Sequence, residues 1–298
     1  MAGKLSSWNR LWRGSKPLVH TLRLQGMIQS GRGGGGLVPK SLSLESVEKD
    51  LAAAFNKKVM PDAVAITVNS PGGSPVQSDL IYTRIRALAK ETGIPVMTFA
   101  EDVAASGGYY LLCAGDRVFC RDTSVVGSIG VVSGGFGLVE AIKKLGVERR
   151  VYTSGKSKVQ LDPFLPEKDE DLAMRRRLLN DIHDSFKGVV MSARGDKLKI
   201  PEDRAFSGEV FTGREAVEHG LCDAVGEVRG VMREMFGDKV KLKHFGGPRM
   251  FLGAPIGGTV DFGGAGAGGF DLRGFEQRLV ESVMQSMEER LAFGRFEP

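Results

Sequence analysis

A chain of 298 residues, 42% hydrophobic and with a formal net charge of +5, has the proportions of a globular protein of one large or two medium domains. No apolar run of about 18 residues occurs, so no membrane-spanning helix is expected. The first residues hold no unbroken apolar core, so no ordinary secretory signal peptide is expected either.

Residues 1–16 form a basic tail. Residues 1–44 contain no Asp or Glu but carry Lys4, Arg10, Arg13, Lys16, Arg23, Arg32 and Lys40. With Leu5, Trp8, Leu11 and Trp12 this composition suits three things: a solvated tail, a short helix lying on an anionic membrane face, or an organelle transit peptide. The expected location is therefore the cytoplasm or a membrane surface, with an organelle matrix as the alternative. Basic and aromatic residues do not continue interleaved into the body, so no nucleic-acid partner is expected.

From residue 17 the pattern alternates between strand and helix. PLVHTLRLQGMI (17–28) reads as a strand, SGRGGGG (30–36) as a loop, and SLSLESVEKDLAAAFN (41–56) as a helix started by Ser43 and Ser46. DAVAITVN (62–69) is a buried strand. SPVQSDLIYTRIRALAKETG (74–93) is a helix with Leu80, Ile81, Ile85 and Leu88 inward and a glycine stop. IPVMTFA (94–100) is a further strand, followed by a turn of small residues, a helix over 106–114 and the strand RVFC (117–120). A helix over 136–146, a strand over 148–154 and a long helix from 166 to 195 come next. Leu172, Leu179, Ile182, Phe186 and Val189 form the long helix's apolar stripe, and His183 belongs to its solvated face. A short Thr-capped helix covers 212–221. This succession predicts an α/β fold with parallel strands, a domain over 17–245. A Gly-rich linker (246–269) and an amphipathic helix (270–298) with Phe275, Leu279, Val283 and Met287 on one face complete the chain.

Three Gly-rich turns follow apolar strands: VNSPGGSP (68–75), ASGGYY (105–110) and GSIGVVSGG (127–135). Strand ends that feed helices are where parallel α/β folds bind ligands. Ser106 sits in the second turn between small residues. A serine hydroxyl needs a base, and a neutral lysine can serve. With a reference pKa of about 10.4, neutrality at pH 7 asks for a displacement of about 3, roughly 4–5 kcal/mol, which burial can supply. Lys156 and Lys158 in SGKSK lie on one face of an extended segment, so spacing does not choose between them. Backbone N–H groups in SPGGS and at Gly107 are candidate oxyanion donors. Cys113, Cys120 and Cys222 lack metal-type spacing; no metal, no disulfide framework and a reducing compartment are expected.

VNSPGGS, ASGGYYLLCAGD, GSIGVV, SGKSKVQLDPF and FSGEVFTGREAVEHGLCDAVG, in this order over residues 17–240, resemble the signal peptide peptidase A family of serine proteases. The resemblance implies a Clp-protease/crotonase-like ββα superhelix, a single catalytic domain and a Ser/Lys dyad. By motif, Ser106 is the nucleophile. Lys158, five residues before Pro163, is the general base; Ser128 orients that lysine, and Gly73 and Gly107 supply the oxyanion hole. Tyr109 and Tyr110 are packing residues. The resemblance further implies endopeptidase cleavage of extended apolar peptides such as cleaved signal peptides or membrane-protein fragments. No cofactor is implied, and assembly into a homo-oligomeric ring is expected, with peripheral membrane contact through the basic tail. Against it stand a crotonase-type acyl-CoA enzyme, which would use carboxylates; an inactive scaffold, which would have lost Ser106 or Lys158; and a Ser/His/Asp protease, for which His183 is the one histidine to consider.

Overall fold

The structure, a computed structural model, describes residues 16–30, 41–155, 158–246, 250–251 and 254–255. The chain divides into two units, Met1–Gly247 and Pro248–Pro298. In the second, β9 (Met250–Phe251) and β10 (Ala254–Pro255) pair antiparallel inside the stretch expected to be a linker. The tail before residue 16, the glycines of 31–36, Lys156 and the expected helix over 270–298 lie outside the described residues.

The first unit is built on β1 (Leu18–Gln25), β2 (Ala63–Ser70), β3 (Val96–Ala105), β4 (Arg117–Cys120), β5 (Val125–Gly127), β6 (Val210–Thr212), β7 (Ala224–Val225) and β8 (Lys241–Phe245). The main path runs β6-β5-β3-β2-β1-β8, with β4 bridging β3 to β7. Every pair is parallel except β5–β6. The helices are α1 (Leu44–Ala54), α2 (Pro75–Thr92), α3 (Gly107–Leu112), α4 (Val139–Lys144), α5 (Asp169–Arg194), α6 (Glu202–Ala205), α7 (Gly213–Glu218) and α8 (Val228–Phe236).

Alternation along the strands creates two cores. On β2, Val64, Ile66 and Val68 enter the larger core with Leu51, Ile81, Ile85 and Leu112, while Ala63 and Ala65 face the smaller core under Val231 and Met232 of α8. The helix starts follow their expected chemistry. Ser43 and Ser46 close a reciprocal capping box on α1, Thr212 and Glu215 do the same on α7, and Gly93 ends α2 in the left-handed conformation.

Several expectations are corrected. Leu80 is exposed; on α2, Ser78 and Ala89 are buried with Ile81, Ile85 and Leu88. Residues 148–154 form no strand, because no described strand lies beside them to complete a ladder, and Tyr152 is 90% exposed. The stripe on α5 is buried at Phe186 and Val190, whereas Ile182 is exposed. β3 continues five residues past its expected end at 100, to Ala105. Its Ala100–Ala104 span faces only Val68–Ser70 of β2, a bulge. Asn69 fills the bulge, accepting from the Val103 N–H at 3.2 Å and donating to Asp102 at 2.9 Å.

The far end of α5 is anchored by Arg194, buried to 2%. Its Nε and Nη2 donate to Gly220 O at 2.9 and 2.7 Å, and its Nη1 to Asp223 at 2.9 Å. Asp223 also accepts from Lys197 and from the Val118 N–H. Burial pushes the Asp223 carboxyl up, but these donors outweigh it and hold its pKa below the ordinary value. The stabilisation is therefore present above the unfolded carboxylate pKa of about 3.9 and is lost as pH falls through the lower, folded value. Asp223→Ala strands a buried guanidinium and is expected to cost about 3 kcal/mol of unfolding free energy near neutrality, read by denaturant titration. The deficit should shrink in acid; a variant as stable as wild type at pH 7 would contradict this.

Candidate active site

Ser106 stands where β3 turns into α3. Its backbone is left-handed, φ 51° and ψ −122°, a conformation that costs an L-residue about 1–3 kcal/mol and survives only when its surroundings impose it. Two hydrogen bonds impose it: the Ser106 N–H donates to Gly127 O at 2.8 Å, and the Ser106 carbonyl accepts from the Tyr110 N–H at 3.0 Å. Sterics do the rest. A Cβ on Gly72 would lie 2.8 Å from Ser106 Cβ, one on Gly107 2.4 Å from Ser78 Oγ, and one on Gly108 2.4 Å from Ser70 O. The small residues around Ser106 are thus a packing requirement. Serine at a helix N-cap usually accepts from the first turn, yet the Ser106 hydroxyl makes no such bond. The side chain is half-buried in a turn that leaves its oxygen unused by the helix it precedes.

Gly73, at φ 138°, lies in a parallel bridge with Ile28. Ile28 donates to Gly72 O at 2.8 Å and accepts from the Ser74 N–H at 2.7 Å. The ladder therefore uses the neighbours of Gly73 and turns the Gly73 N–H away from Ile28. A side chain is impossible here, since a Cβ would meet Ile28 O at 2.1 Å. Gly72, pressed between this bridge and Ser106, holds the two turns together.

Ser128 follows β5 as Ser106 follows β3. Ala105 pairs with Gly127, so the two serines leave neighbouring parallel strands at the same level. Ser128 has φ 51°, the same left-handed value. Its N–H donates to Glu209 O at 2.7 Å and its carbonyl accepts from Gly130 at 3.0 Å, while Ile129 O lies 3.2 Å from His183 Nε2. His183 is accordingly half-buried against the β5 loop, not on a solvated helix face.

Lys158 is exposed in the segment between α4 and α5, its N–H on Gly155 O at 3.3 Å. Among the described residues no hydrogen bond or ion pair joins it to Ser106 or Ser128. Ser106, Ser128, Gly73 and Gly107 are thus brought together by strand pairing, and Lys158 belongs to a separate arm. That arm displays Val132, Phe136, Leu145, Val147 and Tyr152 to solvent. An open cavity of about 540 Å³ within it is lined by Ile142, Val147, Arg149, Arg150 and Phe164, none of which belongs to the serine turns.

Tyr109 and Tyr110 pack as expected, their hydroxyls donating to Leu221 O and Asp79. The three cysteines are buried and free, and burial pushes the Cys113 thiol up to about 12, which leaves it inert. The described residues contain no cluster of metal-ligating side chains and no helix long and apolar enough to cross a membrane. The sequence does not show the contact of Gly72 with Ser106, the Glu209 carbonyl on Ser128 or the placement of His183 on Ile129. Gly72 was visible in SPGGS as a pair with Gly73; a backbone acceptor and a tertiary contact leave no mark of that kind.

The model of peptidase family S49 matches residues 88–243, which include both serines and Lys158. The chain belongs to this family. It is 33% identical to a putative signal peptide peptidase SppA of Enterococcus faecium over 57% of this chain and 50% of that protein. It is also 44% identical, over 96% of its own length, to a Brucella abortus protein named Na(+)/H(+) antiporter NhaA, of which it spans 38%. That alignment takes in the whole of the family match, while more than half of the Brucella protein lies outside it. A solved structure of the 1510-N membrane-bound stomatin-specific protease, a lysine-to-alanine variant in complex with a substrate peptide, shares the fold with a TM-score of 0.50 at 15% identity, over 78% of this chain and 94% of that one. The fold is the Clp-protease/crotonase-like α/β fold that the motifs implied.

The packing of the Ser106 turn can be tested without an activity assay. Gly72→Ala is expected to lower the unfolding free energy by about 2 kcal/mol, because neither Ser106 nor the Ala105 carbonyl can retreat. Gly188→Ala, in α5 with nothing within 4 Å, is expected to raise it by up to about 1 kcal/mol. Equal effects of the two would contradict the packing argument.

Proposed function

We propose that the chain is a serine endopeptidase acting through a Ser106/Lys158 dyad. The observation that carries the proposal is the strained Ser106 turn, whose hydroxyl is withheld from helix capping and stands beside the close-packed backbone of Gly72 and Gly107. Ser106 Oγ attacks the scissile carbonyl and Lys158 Nζ takes its proton. The tetrahedral oxyanion accepts from the Gly73 and Gly107 N–H groups. Lys158 returns the proton to the leaving amine, and a water, activated by the same lysine, releases the acyl-enzyme. Ser128 holds the amine on line.

The chain spans half or less of the length of the Brucella and Enterococcus relatives, so substrates and assembly are part of the proposal. The substrate class is an extended apolar peptide, a cleaved signal peptide or a fragment of a membrane protein. Three things support this: the glycine-lined site, which suits a backbone, the name of the Enterococcus relative, and the peptide bound by the stomatin-specific protease. The exposure of the arm, with Val132 89% and Tyr152 90% accessible, supports a ring in which this arm packs on a second copy and Lys158 becomes buried beside a serine turn. Burial would also lower the lysine pKa as a general base requires. The basic tail is proposed to rest on an anionic membrane surface.

Hydrolysis of a fluorogenic apolar peptide tests the dyad. Ser106→Ala and Lys158→Ala are each expected to lose about a thousandfold or more, with Lys156→Ala largely active. Activity should rise toward alkaline pH as the amine loses its proton. Retained activity in Ser106→Ala would overturn the proposal.

A further inference from the structure

Helix α5 packs with one face against α3, the helix that follows Ser106, and against the residue that follows Ser128. His183 and Phe186 are three residues apart and therefore neighbours on that face. The Phe186 ring lies 5.1 Å from the ring of Tyr110, four residues after Ser106. His183 Nε2 lies 3.2 Å from the carbonyl of Ile129, the residue after Ser128. A carbonyl only accepts, so Nε2 carries the proton of this bond. The Ile129 side chain is fully buried, which fixes one side of that peptide, and His183 fixes the other.

The backbone on the two sides of Ser128 is thus held by separate elements. The Ser128 N–H is tied to Glu209 at the entry to β6, and the carbonyl one residue on is tied to α5. A left-handed non-glycine backbone relaxes unless it is held on both sides. We infer that His183 is a positioning residue for Ser128: by donating to Ile129 O it keeps the Ser128 backbone left-handed, so that its hydroxyl is placed to receive the lysine amine in the proposed assembly. This rests on the Ser/Lys reading above. It gives the histidine a role in the reaction with no proton transfer to Ser106.

The test is a double-mutant cycle on a fluorogenic peptide, with the concentration of competent sites counted by fluorophosphonate titration and folding followed by thermal melting. His183→Leu is expected to lower kcat per titrated site about three- to tenfold, the value of one hydrogen bond, with KM within about twofold. His183→Gln, which keeps a terminal N–H donor, is expected to recover most of that loss. In a Ser128→Ala background, His183→Leu is expected to have no further effect, because its influence runs through Ser128. An unchanged kcat per site in His183→Leu, or the same proportional loss with and without Ser128, would overturn the inference alone. A Ser128→Ala variant as active as wild type would overturn it as well. Activity persisting in Ser106→Ala would instead overturn the Ser/Lys reading, and the inference with it.

Discussion

The parallel register of β3 against β5 is the constraint from which the site follows. Ala105 pairs with Gly127, and the Ser106 N–H closes the ladder on Gly127 O at 2.8 Å. That one pairing sets two serines side by side at the ends of adjacent strands, both at φ 51°. A slip of one residue would send each side chain to the opposite face. The bulge at Asn69 serves the same end, letting β3 run two residues longer than β2 over the same span so that its tip meets β5.

Much of this was legible in the sequence, and for physical reasons. Caps are local chemistry, so Ser43, Thr212 and Gly93 marked helix ends that the structure reproduces. The glycines of SPGGS stood out as a backbone that can come close to a ligand and Gly107 as a helix N-terminus, while Gly73 was singled out by the resemblance alone. The end of β3 did not stand out, since Glu101 and Asp102 break the apolar run that defines a buried strand, and the continuation is set by Asn69 across the sheet. Residues 148–154 hold the β-branched and aromatic residues of a strand, Val151, Tyr152 and Thr153, but no described neighbour to pair with. Pairing is a tertiary fact, and no local pattern reports it. His183 was misplaced for the same reason: flanking aspartates suggest a wet surface, whereas its partner, Ile129, is 54 residues away in sequence.

Rigidity and exposure are divided between two regions of the first unit. The serine turns are surrounded by fully buried side chains such as Ile28, Tyr109 and Ile129, and α5 is pinned at its far end by Arg194 and Asp223. The arm that bears Lys158 has the opposite character, with large apolar side chains in solvent. A preorganised nucleophile and donor set, to which the base is added from an exposed arm, would tie catalysis to assembly.

The central claim is that Ser106 is a nucleophile activated by Lys158. Mass-spectrometric mapping of the adduct left by a fluorophosphonate tests it most directly. A single adduct on Ser106 is expected in the native chain, lost on denaturation before labelling and strongly slowed in Lys158→Ala. An adduct on another residue, or labelling of Ser106 at the native rate in Lys158→Ala, would contradict it.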